Sequence, residues 1–355
     1  MARAALNKVD AIIAGGGLAG IHLALAMDRS GFTPLVLDQP DPRSSSRLAA
    51  GIINPITGRR FALSWMYQHL EPVFTEVYRY WETMWNVRFL HQKNIYRSVP
   101  HNKLVNDLDV KLSDPEYERY CRKMSGEEVD RIGQMIRFQP PGYIMHGFQV
   151  DTTIFLEAAI RYLASRGMYR VGRFEESSAQ VRQKEFRFQE YQSEKLIWAS
   201  GASIVNHPAF SWVQMNPNKG EILHLRSEGP VLNEIIKQTS FYVPIGGDRI
   251  WLGTYDSWEV EDVKPSAEGL QYLVSKAESL KYPYAVLDHC VAVRPAVEDR
   301  RPVIGNHPDN DRLYLFNGFG SKGTSLIPYF AQMMLEYLIQ GKEILPEVDV
   351  KRFKF

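Results

Sequence analysis

Cysteine is nearly absent from this sequence: 355 residues contain two, Cys121 and Cys290. They fit no metal-ligand spacing, so they point to a reducing compartment and give no reason to expect a bound metal. Surplus charge is missing too, with 42 basic residues against 41 acidic ones and a net charge of +1. That removes the bulk electrostatic case for nucleic acid or an anionic membrane and leaves only a local basic patch open. No internal repeat, low-complexity tract or secretory leader is in view, and a cytoplasmic location is expected. The apolar run from Ala11 to Met27 is too short and too rich in glycine to cross a membrane.

What is present is a globular composition. Hydrophobic residues make up 45% and charged residues 23%, enough for a large core and about two domains. The chain is organised around Val9 to Met27. Ala11-Ile12-Ile13-Ala14 reads as a buried parallel strand, followed by glycines at Gly15, Gly17 and Gly20 and by a helix-forming run that stops at Gly31. Thr33 to Leu37 gives a second apolar strand, ending on Asp38. In this strand–turn–helix–strand–acid order, Gly15 makes the tight turn, Gly17 admits a pyrophosphate and Gly20 lets the helix pack on the strand. The helix start supplies free N–H groups to phosphates. Asp38 suits the hydroxyls of an unphosphorylated ribose, hence FAD or NAD rather than NADP.

Farther on, Phe61 to Trp85 carries an aromatic stripe at helical spacing, which reads as core. Phe89 to Arg97 reads as a strand, Asp107 to Arg131 as surface helix and loop, and Ile154 to Ser165 as a helix. Lys195 to Ala202 is a buried strand ending in Ala199-Ser200-Gly201. Lys219–Leu225 and Phe241–Gly253 look like antiparallel strands, the second folded over Gly246-Gly247-Asp248, with a helix at Ala267 to Leu280. Another helix runs from about Ser325 to Ile339.

Four separated motifs carry a family resemblance. They are the opening glycine turn, the segment SSSRLAAGIINP (Ser44 to Pro55), and Arg294-Pro295 with Asp299 and Pro302-Val303-Ile304-Gly305. The fourth is the strand Leu313–Phe316 running into the glycine loop Asn317 to Thr324. In this order over most of the chain, they resemble the D-amino-acid oxidase (DAO) family of FAD-dependent oxidoreductases, which includes glycine oxidase and sarcosine oxidase. The resemblance implies an α/β fold with a Rossmann-like parallel-sheet FAD-binding domain from residues 7–60, 149–206 and 290–342. A substrate domain with an antiparallel sheet would come from 61–148 and 207–289. It implies FAD contacts from Gly15, Gly17, Leu18, Ala19, Gly20, Asp38, Arg47, Ala50, Gly51, Ala199, Gly201, Gly318, Gly320, Ser321, Lys322, Gly323 and Thr324.

The implied reaction is oxidation of the C–N bond of an amino acid or N-substituted amine, a CH–NH or CH–NH2 group. Oxygen or another acceptor would take the electrons. Holding such a substrate calls for a bidentate arginine. Arg294 is the candidate, because the arginine of the matching Arg-Pro pair holds the carboxylate in the glycine-oxidase branch. A structural ion pair with Asp299 or Glu298 is the alternative. Tyr242 matches a pocket tyrosine of that branch, or is simply a strand tyrosine. Lys322 is either a cation at the flavin or a solvated loop lysine. The chain also departs from the sarcosine-oxidase branch: Trp251 stands where that branch has a lysine, and Ala292 where it has a flavin-linking cysteine, so non-covalent FAD is expected. Arg300-Arg301 replaces a glycine-containing pair and suits an acidic or larger substrate, or plain surface charge. Two further readings remain open. One is a carboxymethylaminomethyl oxidase of tRNA wobble uridine, the other a non-catalytic flavin-binding protein.

Overall fold

The computed structural model describes residues 6–174 and 184–353. The chain divides into two compact units, each assembled from separated segments. The first comprises Met1–Arg47, Thr152–Asn218 and Val293–Phe355, the second Leu48–Asp151 and Lys219–Ala292. The chain therefore passes between units at 47/48, 151/152, 218/219 and 292/293.

The first unit is built on a six-stranded sheet in the order Tyr169–Val171, Pro34–Asp38, Ala11–Ala14, Leu196–Trp198, Asn310–Asn317, Val303–His307. The first five strands are parallel and the last is antiparallel. Ala11–Ala14 is buried along its whole length, which is why it reads as an unbroken apolar run rather than an alternating one. Helix Leu18–Arg29 packs against helices Thr152–Ser165 and Gly323–Gln340. His22 stacks on Phe155 at 4.6 Å, and burial lowers its pKa to about 3. On the opposite side, Trp198, Phe186, Phe210 and Leu313 share an apolar cluster. Chain order reverses across Ala11–Ala14: one neighbour is the next strand in sequence, the other comes more than a hundred residues later. Such a switch leaves a crevice beyond the carboxyl ends of the two central strands, and ligands bind there.

The second unit holds a nine-stranded sheet. Its path runs Tyr284–Arg294, Asn218–Ser227, Arg249–Ser257, Phe241–Pro244, Ile235–Lys237, Leu90–Ser98, Gly142–Val150, Ile52–Ile53, with Cys121–Lys123 paired to Gly142–Val150. Phe241–Pro244 and Arg249–Ser257 form the expected hairpin. The sheet is mixed rather than purely antiparallel, since Ile235–Lys237 runs parallel to Leu90–Ser98. These two strands come from different insertions, so no tight turn fixes their direction. Helix Tyr67–Trp85 buries Tyr67, Leu70, Phe74, Val77, Tyr78 and Trp81 at three- and four-residue steps, and packs against Leu90–Ser98. The aromatic stripe is thus core. Its buried acid, Glu82, accepts the N–H groups of Phe89 and Leu90 at 2.8 Å each, fixing the entry to that strand.

Candidate dinucleotide site

The crevice of the first unit is walled by two backbone turns. Gly15 leaves strand Ala11–Ala14 at φ +118°, and a Cβ there would lie 2.5 Å from the Ala199 carbonyl oxygen. Only glycine allows both the dihedral and the approach. A Cβ on Gly20 would lie 1.9 Å from the Gly15 carbonyl oxygen, so this glycine sets how close the helix comes to the turn. Gly17 stands at the N-cap of helix Leu18–Arg29. The Leu18 N–H donates to Ser46 Oγ at 3.1 Å, which ties the polar loop before Arg47 to the helix start. Asp38 closes this side. Its Oδ1 accepts the Gly16 N–H and its Oδ2 the Tyr169 hydroxyl, both at 2.9 Å. Burial and then the Asp38 charge push the Tyr169 hydroxyl's pKa up, with Arg47 near enough to oppose them. Each carboxylate oxygen keeps a second lone pair for a further donor.

The second turn is Ala199-Ser200-Gly201. The Ser200 hydroxyl is buried and has no hydrogen-bond partner among the described residues. Such a hydroxyl is available to a ligand group or a water. Asn317, itself buried, donates to the Gly201 carbonyl at 2.9 Å and accepts the Gly318 N–H at 2.8 Å. It links this turn to the glycine loop that opens helix Gly323–Gln340. Gly318 and Gly320 sit at φ +80° and +55°, and the Gly320 N–H donates to the Pro295 carbonyl at 3.0 Å. Arg294 therefore lies one residue from the loop at that helix start. Its Nη1 donates to Asn218 Oδ1 at 2.6 Å. Asp299, one of the acids considered as its partner, is held instead by Arg352, with Nε to Oδ2 at 2.9 Å. Lys322 caps the helix and is partly buried. Burial, then Arg301 and Arg300, lower its pKa. The three cations make an electropositive start to a helix whose dipole has the same sign.

Comparison with known proteins identifies the family. The family description "FAD dependent oxidoreductase", abbreviated DAO, matches residues 10–337. The chain belongs to this family. A glycine oxidase of Bacillus licheniformis is 30% identical over 127 residues, which is 35% of this chain and 34% of that protein. The match thus spans about a third of the relative's length. In structure, a glycine oxidase of Bacillus cereus superposes with a TM-score of 0.77 at 18% identity, covering 95% of this chain and 96% of the other. An L-amino acid deaminase of Proteus vulgaris superposes at 0.80 with 11% identity and 99% coverage of both chains. At these identities the superpositions speak for the fold.

The first unit fits the dinucleotide that defines the family. Gly15, Gly17 and Gly20 shape a turn without side chains, Leu18 and Ala19 begin the helix behind it, and Ser200 offers a buried hydroxyl in want of a partner. Gly201, Gly318, Gly320 and Ser321 lie on the two turns joined by Asn317, and Gly323 and Thr324 open the helix that follows. Ala50 and Gly51 fall in the second unit. There Gly51, at φ +69°, accepts the Val150 N–H at 2.9 Å, and a Cβ would stand 1.8 Å from the Val150 carbonyl oxygen. Sheet packing alone accounts for that glycine. Tyr242, expected as a pocket residue or a strand tyrosine, packs within the second unit. It is buried among Leu223, Leu252 and Leu273, and its hydroxyl is held by the Lys276 carbonyl and Ser279 Oγ, both at 2.7 Å. Strand alternation aims it at helix Ala267–Ala277, and the sequence did not say which sheet face that helix covers. Gly16, Ser46, Tyr169, Ser200 and Asn317 are site residues that the motif reading passed over. Of these, Gly16, Ser46 and Asn317 lie inside the four motifs, whereas Tyr169 and Ser200 lie outside them.

Replacing Asp38 tests the ribose assignment. Asp38→Asn keeps an acceptor for the Gly16 N–H and removes the charge. A hydrogen bond to a charged group contributes about 1.5–3 kcal/mol, so the FAD dissociation constant should rise by roughly one to two orders of magnitude. Fluorescence titration of the apoprotein measures it. An unchanged constant would mean that Asp38 serves only the Gly16 turn.

Proposed function

We propose that the protein oxidises the C–N bond of an amino acid or N-substituted amine, with Arg294 anchoring the substrate carboxylate and FAD held non-covalently. The observation that carries the reading is the seat of Arg294. It is half-buried, oriented by the neutral amide of Asn218 and one residue from the glycine loop at the start of helix Gly323–Gln340. A guanidinium so placed offers paired donors to a carboxylate. Bound FAD would supply the two-electron acceptor. The chain's own part is to bind and orient: the glycine turn and Asp38 fix the dinucleotide, and Arg294 fixes the amine's position by its acid end. The helix start with Lys322, Arg300 and Arg301 stabilises negative charge that develops nearby. The similar proteins named above, called after glycine and L-amino acids, support a small amino-acid substrate. Oxygen or another acceptor would complete the cycle.

The test is anaerobic mixing of the purified protein with a panel of amino acids and N-alkyl glycines, following flavin absorbance. Bleaching by a carboxylated amine is the expected result. A flavin left oxidised by every carboxylated amine, but bleached by an amine without a carboxylate, would overturn the role given to Arg294.

A further inference from the structure

The second unit holds a cluster that the proposed reaction does not use. Asp288 and Cys290 are two residues apart on strand Tyr284–Arg294, so their side chains share one face. The neighbouring strand, Asn218–Ser227, brings His224 to the same place. Ligand atoms of the three residues all lie within 4.8 Å of one another. The Cys290 thiol donates to Asp288 Oδ2 at 3.0 Å. Burial is graded across the group: Cys290 is 2% exposed, His224 is intermediate and Asp288 faces solvent.

From this geometry we infer that His224, Asp288 and Cys290 form a site for a zinc-class divalent cation. An imidazole nitrogen, a thiolate sulfur and a carboxylate oxygen are the donor types zinc takes, and the sulfur disfavours magnesium and calcium. The edges of a zinc tetrahedron are about 3.5 Å, so the donors close on the ion by side-chain rotation, with the strands kept in place. Binding exchanges the Cys290 S–H bond for an S–metal bond and releases one proton to solvent past the exposed Asp288. No electron is transferred. Three protein donors leave a fourth position for water or a ligand oxygen, as in exchangeable sites. The graded burial gives the ion a path in from the Asp288 side. Sequence spacing did not reveal the site because its third donor comes from a different strand.

The inference is independent of the proposed reaction and is tested on the flavin-loaded protein. After equilibrium dialysis against zinc and removal of excess, elemental analysis should find about one equivalent retained. Cys290→Ser and His224→Ala should retain almost none, and Cys121→Ser should match the wild type. Cobalt in place of zinc should give thiolate-dependent absorption beyond the red edge of the flavin bands, lost in Cys290→Ser. If Cys290→Ser does not fold, Asp288→Asn serves, because the residue is exposed; it should weaken zinc binding at least tenfold. Absence of retained zinc, or equal retention by wild type and by the folded variants, would overturn the assignment.

Discussion

Gly17→Val should purify as a folded protein without flavin. The backbone at Gly17 is ordinary, with φ −76° and ψ −173°, so a valine meets no left-handed strain. The nearest atom to its Cβ would be Ser46 Oγ at 2.9 Å, the end of a short side chain that can turn away. The chain accommodates the change, whereas a pyrophosphate lying against the turn cannot. Gly20→Ala is the contrasting variant. Its Cβ would lie 1.9 Å from the Gly15 carbonyl oxygen, a backbone atom between a strand and a helix that cannot yield. Overpacking of that kind costs about 1–3 kcal/mol, so Gly20→Ala should lower the thermal midpoint, while Gly17→Val loses colour first. Flavin-to-protein absorbance and circular dichroism separate the two effects. A Gly17→Val protein with wild-type flavin content would show that the phosphates lie elsewhere.

Arg294→Ala should retain flavin and lose carboxylate binding. Removing one partner of a buried charge pair costs at least about 3 kcal/mol, or roughly two orders of magnitude or more in the dissociation constant of a small carboxylate. Flavin content should stay near that of the wild type, since the glycine turn and Asp38 are untouched. Arg294→Lys should recover little, because an ammonium lacks the planar pair of donors. Flavin spectral shifts during titration with a small carboxylate give the constants. Equal affinity in wild type and mutant, with flavin bound in both, would make Arg294 a structural residue that serves Asn218.

The two variants differ in how far the sequence foretold them. The glycine turn and Asp38 were legible because strand, turn, helix and second strand follow one another directly, and each glycine has a local steric reason. The hairpin at Gly246-Gly247 was legible on the same ground. Contacts that join distant segments were not. Nothing in the order of residues pairs Tyr169 with Asp38, Ser46 with Leu18, Arg352 with Asp299, or His224 with Cys290. Each depends on which strands and loops become neighbours. Tyr242 shows the same limit in another form. Alternation told that it faces one side of its strand, but the side covered by helix Ala267–Ala277 is a property of the fold.

Strand Asn310–Asn317 lies inside the parallel sheet although it is synthesised after the other five strands of that sheet. Until it emerges from the ribosome, Leu196–Trp198 has a neighbour on one side only, Ala11–Ala14, and presents an unpaired edge on the other. The carbonyl of Gly201 waits on the same late arrival, because Asn317 comes with that strand. The nucleotide crevice thus cannot be completed during early translation. Its closure joins residues separated by most of the chain, which makes for slow folding. An open strand edge in the meantime is a template for wrong pairing. Newly made chains should therefore depend on chaperones that shield strand edges until Asn310–Asn317 is in place.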